Sequence, residues 1–298
     1  MAAPMDRHEA GAPTLQVMAS TGNLIGHYEV VARIAQTHTG EIFLARAHGE
    51  PAAIKVFKPE MLKKQFFELI ERERGTAVAF SHPSAVKILD VTVTDKRPVI
   101  GMELAWGQPW SAVVKKALQD GFPLDREMVQ WIGLQVALLL QEAHKTPWAM
   151  RETAGMLHGR IALNDIVITY SGQIKVPGFG IGRSCLTLPL STAKLPYRAP
   201  ELFGNRVDVR ADIYGLGVSM HDAFTGKTMF KRTTADETRD AVLQNDVLPL
   251  ASIGLEKDIA SIIGRMAAGS PDMRPKITEI IAFLEKGLPS EEDMRVTL

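Results

Sequence analysis

The apolar residues of this chain change their spacing once, near Gly107. Before that point, short runs rich in Val, Ile and Phe are broken by polar turns: HYEVVARIA from His27, EIFLARA from Glu41, AAIKVF from Ala52, AVKILDVTV from Ala85 and PVIGMELA from Pro98. Alternate side chains of a strand face opposite ways, so these runs read as an antiparallel meander. TDKRP between the last two reads as a turn. MLKKQFFELIERERGTAVAF breaks the pattern with helical charge spacing after Pro59. Beyond Gly107 the helical period takes over. LDREMVQWIGLQVALLLQEAHK is apolar around much of its circumference and is expected to be buried. Asp125 stands near its start, where a carboxylate suits the helix dipole. DIVITY and QIKVPGF form a short hairpin around Ser171 and Gly172. ADIYGLGVSMHDAFTG stops at Gly226, and KDIASIIGRMAAG and KITEIIAFLEKG close the helical part. The fold class is α+β with the two kinds of element segregated. The expected divisions are a flexible segment at 1–26, a strand-rich unit at 27–104, a helix-rich unit at 105–287 and a tail at 288–298.

Composition excludes several classes of function. Lys+Arg and Asp+Glu both total 34, so no overall charge draws the chain to nucleic acid or to an anionic membrane. No apolar run is long enough to insert in a bilayer. The first residues, MAAPMDRHEAGAP, lack the apolar centre of a secretory signal. Cys185 is the single cysteine, which rules out an internal disulfide and fits a reducing compartment. A cytoplasmic location is therefore expected.

Several short motifs follow one another in order. AAIKVF carries Lys55 on a strand, and Glu73 follows on the helix, before His82 and Pro83. PVIGMELAWG comes next, then HGRIALND at 158–165, GFG at 178–180, YRAPE at 197–201, ADIYGLGV from Ala211 and SPDMRP ending at Pro275. This order resembles the eukaryotic-like (Hanks-type) Ser/Thr protein kinase family in its bacterial form, from about Tyr28 to Leu284. Taken alone, Lys55 would be a surface strand lysine and Glu73 a solvated charge beside Glu71. It is the order of the motifs that is specific.

The resemblance implies a two-lobed protein kinase-like fold, with a small β-rich N-lobe carrying one main helix and a larger α-helical C-lobe. It implies that Lys55 holds the inner phosphates of a nucleotide and that Glu73 fixes Lys55 through an ion pair. Ile42, Ala53, Met102 and Val167 would line the nucleotide pocket, with Met102 as gatekeeper. Glu103 to Ala105 would offer backbone groups to an adenine ring. His158, Phe179, Glu201, Asp212 and Arg274 would be structural. Among these, Asp212 would hold the catalytic-loop backbone and Glu201 would pair with Arg274.

Where the family has H-R-D-L-K-P-x-N, this chain has His158-Gly159-Arg160-Ile161-Ala162-Leu163-Asn164-Asp165. Arg160 occupies the position of the general base, and a guanidinium accepts no proton. Ala162 replaces the lysine that steadies the transferred phosphate. Asp165 replaces the metal-binding asparagine and still offers oxygens. Gly178 replaces the aspartate that is the main magnesium ligand. The glycine-rich phosphate loop aligns with 35–40, where only Gly40 remains. The threonine of the family's activation segment falls on Lys194. Arg160 and Lys194 either make the cleft floor electropositive or point to solvent.

The resemblance thus implies no intact catalytic residue and no metal site. It implies a pseudokinase that regulates or scaffolds through a protein partner, such as another kinase or a signalling complex. Any ATP would be held weakly and without magnesium. The alternative is an atypical ATP-dependent phosphotransferase or nucleotidyltransferase using a non-standard site. An insertion at 145–157 carries Trp148, Met150 and Met156, which either anchor their own loop or form a partner surface. Trp106 and Trp110 near the hinge leave the same two options. Cys185 reads as an incidental thiol.

Overall fold

The computed structural model describes residues 16–17, 24–148, 155–204, 206–247 and 254–289. Strands β1 (Gln16–Val17) and β2 (Leu24–Ile25) both pair with β3 (Tyr28–Gln36). Part of the segment expected to be a flexible lead-in is therefore paired backbone. The sheet continues through β4 (Gly40–Ala47), β5 (Glu50–Phe57), β6 (Ile88–Thr94) and β7 (Arg97–Glu103). Its spatial order is β1-β3-β4-β5-β7-β6, with antiparallel pairing. Asp95 and Lys96 turn β6 into β7 with φ of 50° and 60°, the left-handed values that a tight hairpin needs. The register sets Lys55 opposite Ile42 on one side and Ile100 on the other. Directly opposed residues share a face, so these three point together toward the helical part.

Helix α1 (Lys64–Ala79) buries Phe66, Leu69, Ile70, Glu73 and Ala77, which recur at helical spacing. Glu73 therefore lies on the apolar stripe, whereas Glu71 is solvated. Phe66, Ile70 and Ala77 join Phe57, Ile88, Val91 and Ile100 in a core between this helix and the sheet.

The C-lobe begins with β8 (Gly107–Pro109), α2 (Trp110–Gln119) and α3 (Arg126–Lys145). Asp125 caps α3 by accepting the Met128 amide at 2.8 Å. Strands β9 (Val167–Thr169) and β10 (Ile174–Lys175) form the expected hairpin, with β8 added at its edge. Then come α4 (Gly182–Leu186), α5 (Ala211–Thr225), α6 (Ala235–Gln244), α7 (Lys257–Met266) and α8 (Ile277–Leu284). Gly226 ends α5 with φ of 67°. Helix α3 packs against α5 and α8 around the largest apolar core. Trp148 and Met156 belong to that core, so the insertion uses them as its own anchor; Met150 lies outside the described residues. Trp110 is also fully buried, whereas Trp106 is 40% exposed. No helix among the described residues is long and apolar enough to cross a membrane.

Candidate functional site

A cavity of about 370 Å³ opens between the sheet and the helical part, within the size range of small-ligand sites. Ile42, Lys55, Ile100 and Met102 line its sheet side. His158, Arg160, Asp165 and Gly178 line the opposite side. Ala53, Glu103, Ala105 and Val167 do not line it. Ala53 is buried across from Met102, Glu103 is ion-paired with Lys175, and Val167 is paired with Pro109 in the small sheet.

Buried polar contacts fix the loop that crosses the cavity floor. Asp212, 1% exposed, accepts the amides of His158 at 2.9 Å and Gly159 at 2.7 Å, and lies 3.2 Å from His144 Nε2. His158 Nε2 meets the Pro177 carbonyl at 2.9 Å, and its ring packs on Phe179. Phe179 in turn stacks against Phe80. Arg274, its side chain fully enclosed, grips both oxygens of Glu201 at 2.6 and 2.8 Å. The five residues expected to be structural thus form the tethers that hold the loop and the segment after it.

The loop over the cavity is closed by a threonine. The Thr37 amide and Oγ1 both donate to the Gly40 carbonyl at 2.8 Å. Gly40 is required for packing, because a Cβ there would sit 2.2 Å from the Val56 carbonyl oxygen. The turn is short and locked by its own threonine side chain.

The expected Lys55–Glu73 ion pair is not formed. Glu73, wholly buried, accepts the amides of Arg183 at 2.9 Å and Ser184 at 2.8 Å, and the Ser184 hydroxyl as well. It caps α4, whose neighbours Ile181 and Leu188 pack beneath α1. Backbone amides at a helix start are strong partners for a carboxylate, and they take Glu73 from Lys55. The Lys55 ammonium lies 4.7 Å from the Phe57 ring centroid and forms no ion pair among the described residues. Burial, reinforced by the cations of Lys194 and Arg160, holds its pKa below the usual lysine range. Cys185 also lines the cavity, and burial pushes its pKa up.

Burial pushes the Glu73 carboxyl from its ordinary 4.5 up to about 7. Between those values the folded chain keeps a proton that the unfolded chain has lost. Stability therefore falls as pH rises through this window and levels off above it. The full effect is on the order of 3 kcal/mol. Glu73→Gln is expected to remove this slope in urea unfolding compared across the window. An unchanged slope would show that Glu73 does not carry the proton.

Arg160 stands where the resemblance puts the base. Its guanidinium donates to the Leu188 carbonyl at 2.8 Å and pins the segment that follows α4. Lys194 reaches both oxygens of Asp165, at 2.5 and 2.7 Å. Gly178 has φ of 102°, and a Cβ there would lie 3.2 Å from His158 Nε2. The family's magnesium does not fit this set. Gly178 offers no side-chain oxygen, and the Asp165 carboxylate is already neutralised. No group of three His, Cys, Asp or Glu capable of holding a metal occurs among the described residues. The Lys194–Asp165 contact spans 29 positions and left no trace in local sequence pattern.

A family model described as the protein kinase domain matches residues 28–286. The chain is 28% identical over 271 residues to the tyrosine-protein kinase MasK of Myxococcus xanthus, covering 86% of this chain and 42% of MasK. It is 27% identical over 221 residues to the serine/threonine-protein kinase PknA of Mycobacterium tuberculosis, covering 70% of this chain and 48% of PknA. It thus spans less than half the length of these relatives. The crystal structure of the M. tuberculosis PknI kinase domain superposes with a TM-score of 0.72 at 23% identity, covering 91% of this chain and 99% of that domain. That likeness concerns the fold alone.

Proposed function

This chain belongs to the protein kinase domain family, and we propose that within it the chain is a pseudokinase, acting by regulation or scaffolding and not by phosphoryl transfer. The observation that carries the reading is the position of Arg160. A guanidinium bonded to the Leu188 carbonyl stands where a proton acceptor has to be. Gly178 and the neutralised Asp165 support it, because metal capture and proton transfer fail together. The retained tethers at Asp212 and Glu201–Arg274 keep a rigid kinase-shaped body for a protein partner, of which another kinase or a signalling complex is the kind we favour. Exposed Trp106 beside Tyr170, with ring centroids 6.2 Å apart, offers an aromatic contact next to the hinge. Lys55, without an ion pair among the described residues, leaves a cation in the cavity for ATP, and a reducing, cytoplasmic setting suits the half-buried Cys185 thiol.

Ligand response without turnover is the signature of such a module. ATP in the presence of EDTA is expected to raise the melting temperature of the chain, through binding to the folded state, while no ADP accumulates when magnesium is supplied instead. Lys55→Met is expected to abolish the shift. ADP formation that depends on Lys55 would favour the atypical transferase reading instead.

A further inference from the structure

The cations of the cavity are arranged unequally. Lys55, Arg160 and Lys194 line it, against Asp165 as the one carboxylate among its lining residues. Lys194 sits within the 3-10 helix Thr192–Tyr197, with its ammonium bonded to both Asp165 oxygens and only 26% of its side chain exposed. In the family Asp165 aligns with a metal ligand. An ammonium therefore lies where the resemblance would put a divalent ion.

We infer that Lys194 is a resident substitute for the divalent cation, and that the cavity takes a metal-free polyphosphate, such as the triphosphate of ATP, between the ammonium groups of Lys194 and Lys55. This rests on the nucleotide reading above and names the form of ligand that the same site selects. An ammonium has three donors, and the two short contacts to Asp165 leave it able to donate to a phosphate oxygen as well. Asp165 holds Lys194 in place, as a positioning residue. A hydrated magnesium ion would have to displace that ammonium to reach Asp165, and it would find no second carboxylate at Gly178. Complexing the triphosphate with magnesium also removes negative charge that Lys55, Arg160 and Lys194 would otherwise meet.

The test is calorimetric titration of the full chain with ATP and with inorganic tripolyphosphate, each in EDTA and in excess magnesium. For the wild-type chain, binding is expected in EDTA and should be weaker or unchanged with magnesium. Lys194→Thr, which restores the family's residue, is expected to lose about tenfold in EDTA and to gain affinity when manganese is added, reversing the sign of the metal effect. Lys194→Arg is expected to keep binding in EDTA, which separates charge from any packing effect. Unliganded melting temperatures of the variants report whether they fold. If the wild-type chain binds ATP only with magnesium, or if Lys194→Thr leaves the metal dependence unchanged, the inference is overturned while the nucleotide reading survives. If neither anion binds the wild-type chain in any condition, both are overturned. Phosphoryl transfer by the chain would overturn the pseudokinase reading separately.

Discussion

Phosphoryl transfer by this chain, timed beside an active bacterial relative under identical conditions, is expected to be slower by at least about 10²–10⁴-fold. That factor is what a positioned general base supplies, and Arg160 replaces the base with a group that cannot accept a proton. The loss of the metal ligand at Gly178 adds to it, because the metal bridges the phosphates and neutralises developing charge. Arg160→Asp alone is expected to leave transfer at background. Residues that act as a unit are not additive, and an aspartate at 160 would meet a triphosphate with no divalent ion and with Glu73 still capping α4. Single-turnover label transfer from γ-labelled ATP measures both chains. A wild-type rate within about tenfold of the relative would contradict the assignment of roles.

Arg274→Ala is expected to cost about 3–5 kcal/mol, measured by urea unfolding. The pair with Glu201 is enclosed, with side-chain exposures of 0% and 6%. The guanidinium also donates to the carbonyls of Ala268 at 2.9 Å and Arg210 at 3.0 Å. Truncation strands the Glu201 carboxylate and removes the partner of the Ala268, Arg210 and Gly269 carbonyls at once. The paired substitution Arg274→Met with Glu201→Leu is expected to recover the part of the loss that comes from the stranded Glu201 carboxylate, because two facing apolar groups need no counter-charge. A loss below about 1 kcal/mol for Arg274→Ala would place the pair among solvated surface bridges.

Much of the fold was legible because apolar spacing reports which face of an element is buried. The strands around Lys55, the long α3 and the Gly226 stop follow from spacing and end signals. Helix α4 did not, because GRSCL is five residues long and shows no period. Its position decides the fate of Glu73. From sequence, Glu73 faced Lys55 as the family would have it. In space the amides of Arg183 and Ser184 are the nearer partners. Lys194 was legible as a cation near the site, but its contact with Asp165 depends on how the intervening segment folds back. The changes at Arg160 and Gly178 were legible outright, since they are losses of functional groups and need no geometry to be seen.

The most direct measurement is an experimental structure of the chain grown with ATP and manganese, with anomalous scattering recorded at the manganese edge. The account predicts nucleotide in the cavity, Lys194 still on Asp165, Arg160 on the Leu188 carbonyl and no anomalous peak within coordinating distance of Asp165. A manganese ion seated between Asp165 and a second carboxylate, with Glu73 turned onto Lys55 and a carboxylate poised to take the proton, would contradict it.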